Sequence, residues 1–446
     1  MLTRTTWLVM TAITGSALVA GLVVHGRHSE AAQPAPHARS LYEPDPAVVH
    51  YKFSTKPIAD DDSESIIREL EARLTQGAPS PYDNADLAEL YLRRATQSGD
   101  PEDYKISEQF ARKSLEILPY PNGVALTLAK LANARHGFRE AIEIASRHAR
   151  HSKGSGTHIV MASAHLALGE LAEASEEAEI AVSIKSDSSG YLMRALVMQA
   201  QGRDAEAAFD FSRALTVEVA GDLQEAARTR TLWGRFLLRR GEPVGAGALF
   251  DEALRIVPDY PLALAQRAEL ALRSGKACEA RAMFEQAFAT SRQVRYLIDL
   301  ARAQELSNDP AAAASSRAQV ERIVREELRT SGIGHQLDLV EVLVDRGDPA
   351  DLHEAIALGR EELTRRPSAE TRFQLSRALY RSGANDEAAI QIRAALASGA
   401  RDARLYELAA RVEQGPRAEL YAHEAERLDP GGSGWRSLGM ARGAQH

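Results

Sequence analysis

The chain has 446 residues, 44% hydrophobic and 26% charged, a composition long and apolar enough for several domains or one long repeat array. Its 30 glycines and 18 prolines exclude a collagen-like or wholly disordered chain, and a single cysteine, Cys278, excludes an internal disulfide, a Cys-rich zinc site and a CxxC redox pair. Lysine and arginine number 54 against 62 acids, a net charge of −8 that gives no overall basic footprint for nucleic acid.

The chain opens with Arg4 ahead of an uncharged, mostly apolar run from Thr5 to Val24, long enough to cross a bilayer as a helix. Residues 1–32 therefore read as a signal peptide or a retained signal anchor, with Ser29-Glu30-Ala31 as the small-x-small cleavage site. Either form predicts export: a periplasmic or other extracytoplasmic location, anchored to the inner membrane if residues 5–24 stay. No cysteine lies nearby to carry a lipid. Residues 33–62 hold Pro34, Pro36, Pro44, Pro46 and Pro57, a density that forbids long helices and predicts an extended tether. Asp61 followed by Glu64 marks a helix start. Ile66, Ile67, Leu70 and Leu74 then follow at helical spacing, so 63–82 reads as a capping helix.

From 83 to 430 the chain repeats itself. A small residue opens the second helix of each unit at Ser107, Ala141, Ala174, Ala207, Ala246, Ala280, Ala314, Ala355, Ala388 and Ala418, at intervals of 30 to 41 residues. Such a period signals stacked helical hairpins. In the clearest unit Trp233 and Phe236 belong to the first helix and Gly241 closes it. Ala246 lets two helices approach, Phe250 and Ala253 share a face, and Pro258 ends the second helix. With Gly234, Gly241, Ala246, Phe250, Ala253 and Pro258 on its signature positions, this unit resembles the tetratricopeptide repeat. Gly202, Ala207, Phe211 and Ala214 repeat the pattern, as do Gly275, Ala280, Phe284 and Ala287. Gly359 and Glu362 depart from it. The resemblance implies an all-α solenoid of about ten hairpins, since one hairpin cannot bury its own apolar face. The two long intervals contain Ala220-Gly221-Asp222 and Ser331-Gly332-Ile333-Gly334, which predict longer loops, the second a candidate hinge. Residues 431–446 read as a tail.

No catalytic constellation stands out. His353-Glu354 and His423-Glu424 lack the second histidine of a metalloprotease helix, and there is no GxSxG elbow or phosphate-binding loop. The chain reads as no enzyme, with no cofactor and no metal. The alternative is an exported metal-binding protein or enzyme using His136, His148, His151, His158 and His165, where His148 and His151 share a helical face. Cys278 has no histidine beside it and reads as a tolerated thiol.

The family resemblance implies that first helices line a concave groove where peptides bind. One groove-facing position in successive units holds Arg93, Lys130, Ser163, Leu196, Arg235, Glu269, Arg302, Glu341 and Arg377, five of nine basic. Arg239, Arg273 and Arg381 follow four residues later on three of these helices. Arginine outnumbers lysine 46 to 8, so most cationic groups are forked donors suited to carboxylates. Arg93, Lys130, Arg235, Arg239, Arg302 and Arg377 are accordingly the expected groove residues, forming a basic stripe for an acidic protein or peptide partner. Lys130 and Asn133 alone do not complete the family's two-carboxylate clamp.

Overall fold

The computed structural model describes residues 42, 44–56, 63–77, 80–119, 123–331 and 335–430. The export segment, the helix-start residue Asp61, the candidate hinge at 332–334 and the tail after Pro430 lie outside the described residues. Among the described residues there are 22 helices and no strand. After α1 (Pro46–Val49) and α2 (Ser63–Gln76) come ten antiparallel hairpins. The first five are α3 (Pro81–Ser98) with α4 (Pro101–Ile117), α5 (Val124–Ala134) with α6 (Phe138–Ala149), α7 (Ser155–Leu168) with α8 (Leu171–Ile184), α9 (Ser188–Ala200) with α10 (Asp204–Thr216), and α11 (Leu223–Arg239) with α12 (Pro243–Ile256). The second five are α13 (Pro261–Arg273) with α14 (Ala277–Thr290), α15 (Val294–Leu306) with α16 (Pro310–Ser331), α17 (Gln336–Arg346) with α18 (Pro349–Arg365), α19 (Ala369–Arg381) with α20 (Asn385–Ala397), and α21 (Ala403–Val412) with α22 (Pro416–Leu428).

Local chemistry sets the helix ends. Ser80, Asp187, Asp222 and Ser368 cap helices by accepting a backbone N–H in the first turn. Proline occupies the first turn of α3, α4, α12, α13, α18 and α22, where no donor is lost. Inside each hairpin a small residue sets the helix spacing. Ala246 is fully buried, and a Cβ on Gly234 would come within 2.5 Å of the Phe250 ring. Trp233 stacks beside Phe211 with ring centroids 6.0 Å apart, so each hairpin closes the core of the one before. One mark shifts by a residue: Ala314 is exposed and Ala313 is the buried one. The second long interval also differs from expectation. Most of its extra length extends α16 to 22 residues rather than making a loop.

The solenoid closes on itself. The turn within a hairpin meets the start of the chain six hairpins later, five times over. Ser98 O accepts from the Arg292 amide at 3.1 Å, and Ala200 O from the Arg401 amide at 3.2 Å. Positions at Gly169 and Gly241 lie against Ser368 and Pro430, and the His136 ring meets the His335 ring at 5.3 Å. The glycines serve two ends here. Gly169 takes φ +80°, which caps α7, and a Cβ on it would lie 3.1 Å from Ser368 Cα in the next turn. His136 adopts the same left-handed turn, at φ 63°, without being glycine.

Part of the Pro-rich linker is no free tether. Tyr42 and residues 44–53 lie over α11, with α1 against α10 and α12 and with Val48 and Val49 against the Phe211–Trp233 core. Tyr51 is buried, its amide donating to Glu252 Oε1 at 2.7 Å and its hydroxyl to Val219 O at 3.4 Å. Arg230, fully buried, donates to Val49 O at 2.7 Å, pairs with Glu218 at 2.8 Å and lies over the Tyr51 ring. The prolines forbid long helices but allow the single turn of α1, begun by Pro46, and the docking of its Val48 and Val49. Composition alone could not show that Arg230 was waiting for a strap.

Candidate functional site

First helices of the hairpins supply the inner wall, and its charges are largely spent on one another. Glu341 on α17 is buried and is held by Arg295 at 2.7 Å and by Arg302, both from α15. Asp345, one turn further along, takes Arg377 of α19 at 2.7 Å and Arg302 at 3.3 Å. Burial would raise the Glu341 carboxyl, but Arg295, Arg302 and Arg377 together hold it well below its ordinary value. The same anionic neighbours keep the Arg302 guanidinium above its usual range despite desolvation.

The expected basic stripe is therefore corrected. Arg302 and Arg377 belong to a charge-balanced network with Glu341 and Asp345, because acids on α17 sit between arginines of the flanking helices. Lys130 is paired too, with Glu89 of the preceding first helix at 2.8 Å. Arg93 is exposed on α3 and lies away from the rest. Of the six, the structure brings Arg302 and Arg377 together around Asp345, and Arg235 and Arg239 together on α11. The latter pair stands beside a cavity of about 330 Å³ at the seam between superhelical turns. First-turn residues Leu196, Gln199, Arg235 and Arg239 form one side, and second-turn residues Glu370, Arg401, Asp402 and Arg404 the other. Asp402 caps α21 through the Arg404 amide at 2.9 Å and pairs with the Arg404 side chain at 2.8 Å. Arg404 and Arg239 hold the Asp402 carboxyl far below its usual range against the effect of burial. Arg404 also reaches Glu370 at 2.9 Å. Arg235 makes no such pair, and burial pushes its guanidinium below its ordinary value.

Sequence reasoning missed Arg401 and Arg404. They sit at the start of the tenth hairpin, six hairpins beyond Gly202, and only the closed superhelix carries them to Arg235. A signal for Arg401 existed in Gly202, whose missing Cβ leaves the space that the Arg401 side chain fills.

The five histidines do not gather at one point, though burial and the neighbouring His151 together hold the His148 imidazole below its ordinary value. His158 meets Glu177 and His165 meets Glu170, each at 2.7 Å within its own hairpin. His148 is buried on α6 and His136 faces His335 across the seam. Among the described residues no group of three or more metal-ligating side chains forms. Cys278 is exposed.

By fold the described chain is an all-α solenoid of ten helical hairpins whose inner wall carries this charged network, and its repeat pattern resembles the tetratricopeptide repeat. No protein-family model matches it, and no curated protein matches it. Among solved structures it is similar to the APC/C hetero-tetramer Cut9–Hcn1, at 13% identity and TM-score 0.47, over 80% of this chain and 60% of that one. It is also similar to human IFIT1, solved as a dimer with PPP-AAAA, at 13% identity and TM-score 0.42, over 76% and 95% of the two chains. A tetratricopeptide repeat protein from Parabacteroides merdae aligns at 16% identity and TM-score 0.37, over 60% and 97%. These likenesses are too distant to carry a ligand or partner to this chain.

Proposed function

We propose that this protein is a non-enzymatic scaffold, working outside the cytoplasm, that holds a protein or peptide partner with acidic groups against the inner wall of its superhelix. The observation that carries the reading is the inner wall itself. Successive first helices such as α9, α11 and α13 pack side by side, and Arg235 and Arg239 stand on α11 beside a cavity. Forked guanidinium donors there suit carboxylates. Location rests on the apolar run from Thr5 to Val24. No helix among the described residues is long and apolar enough to cross a membrane, and that run lies outside them.

The test compares the full chain with its Arg235→Glu, Arg239→Glu double variant for capture of cross-linked partners from the envelope fraction. Loss of the same partner from the variant, with unchanged circular dichroism, supports the reading. Equal capture by both removes these residues from the binding surface. A reporter fused after residue 60 should be active outside the cytoplasm; activity confined to the cytoplasm would overturn the location.

A further inference from the structure

The seam cavity is lined by two guanidiniums that make no direct carboxylate bond: Arg235, part-buried with Glu269 and Asp402 acting on it only through space, and Arg401, exposed at the rim. Among the described residues Arg235 has no hydrogen-bond or ion-pair partner, and its Nε is buried and unsatisfied. Arg401 comes from the opposite turn. Its side chain donates only to the Tyr406 hydroxyl, and its backbone amide makes the seam bond to Ala200 O at 3.2 Å. The acids of the cavity are already engaged: Asp402 and Glu370 by Arg404, and Asp429 by Arg273 at 2.5 Å. The remaining wall includes Leu166, Leu196, Leu405 and Leu428, an apolar surround on the Arg235 side, while Arg401 stays open to solvent. An uncompensated buried charge is expensive, and an apolar surround strengthens any ion pair formed within it. The space, about 330 Å³, lies at the small end of ligand pockets.

We infer that this cavity is a binding site for a small oxyanion, a carboxylate or phosphate group, seated between Arg235 of the first superhelical turn and Arg401 of the second. The ion compensates both guanidiniums at once. Because they belong to different turns, its binding also fastens the seam. The site does not depend on the partner reading. A free anion can occupy it, and so can an acidic group on a partner.

The experiment uses the full chain and two probes, glutarate and inorganic phosphate, at constant ionic strength with chloride as control. Calorimetry should show saturable binding with one site per chain for at least one probe. Hydrogen exchange at the Arg401 amide should slow when the probe is bound. Arg235→Gln and Arg401→Gln should each weaken binding at least tenfold, while Arg360→Gln on an outer helix should leave it unchanged. Without ligand, Arg235→Gln should melt no lower than the parent, because it removes a charge that no direct ion pair compensates. Binding of glutarate alone identifies the occupant as a carboxylate, and of phosphate alone as a phosphoryl group. A blocked acidic peptide that binds with the same dependence on Arg235 assigns the group to a partner chain. No saturable binding by either probe, or full binding by Arg235→Gln, overturns the site. So does a lowered melting point of ligand-free Arg235→Gln, which would show the guanidinium to be bonded within the protein.

Discussion

Single side chains decide how closely these helices approach. Ala246 is fully buried where α12 crosses its neighbours, with no space for a longer side chain. Ala246→Leu should overpack that crossing and cost about 1–3 kcal/mol, read from denaturant midpoints. Unchanged unfolding would mean that the crossing yields at no cost. Glu341 gives a prediction in pH. Its folded carboxyl titrates well below its ordinary value of 4.5, so its pairing contributes fully above that pH. The contribution is lost as pH falls from about 4.5 through the lower folded value. Stability should therefore drop with acid in that window, and Glu341→Gln should flatten the drop. A variant with the parent's acid slope would show that other carboxylates carry it.

At the scale of elements, the strap at 44–53 is the least expected piece. Tyr51 packs against α11, α12 and α13 through Ala226, Ala227, Ala253, Ile256 and Ala263, and Arg230 and Glu218 bury their charges beneath it. Tyr51→Ala should cost about 3 kcal/mol, the lower end of the range for large aromatic truncations. It should also expose the strap to protease before the hairpins unfold. Cleavage at the parent's rate would show that Tyr51 does not hold the strap. The hairpins themselves were legible in sequence, since the small residue, the turn glycine and the closing proline each answer a local steric need. The strap was not, because its partners lie about two hundred positions away and its own residues carry no periodic signal. Ala313 rather than Ala314 is a similar case: in an alanine-rich stretch every choice fits locally, and packing alone selects one.

For the whole molecule, contact between superhelical turns turns a chain of nearest-neighbour units into a closed body. Solenoids held only by neighbours unfold in parts. Here Arg273 of the sixth hairpin pairs with Asp429, at the end of the tenth, at 2.5 Å, and Asp429 is 2% exposed. Arg273→Ala removes the bidentate guanidinium from a buried carboxylate, which should cost about 3–5 kcal/mol. It should loosen the seam first, seen as faster exchange at the Arg401 amide and a larger hydrodynamic radius. Uniform loss of protection across all hairpins would instead mean that the seam does not open separately.

What the sequence alone determined was the unit: its length, its two helices, its turn, and the small residues where helices cross. Those follow from contacts within one hairpin and its neighbour, and such contacts leave a periodic mark in the chain. Tertiary structure alone decided how tightly the superhelix winds, and with it the fate of the inner charges. Six hairpins to a turn bring Arg401 to Arg235 and close the seam over both. The same packing sets Glu341 and Asp345 between Arg302 and Arg377, so that a row of basic residues in the sequence is largely neutralised in the fold. Winding is the sum of small rotations at every crossing, each set by side-chain volume, and no single position in the chain records that sum.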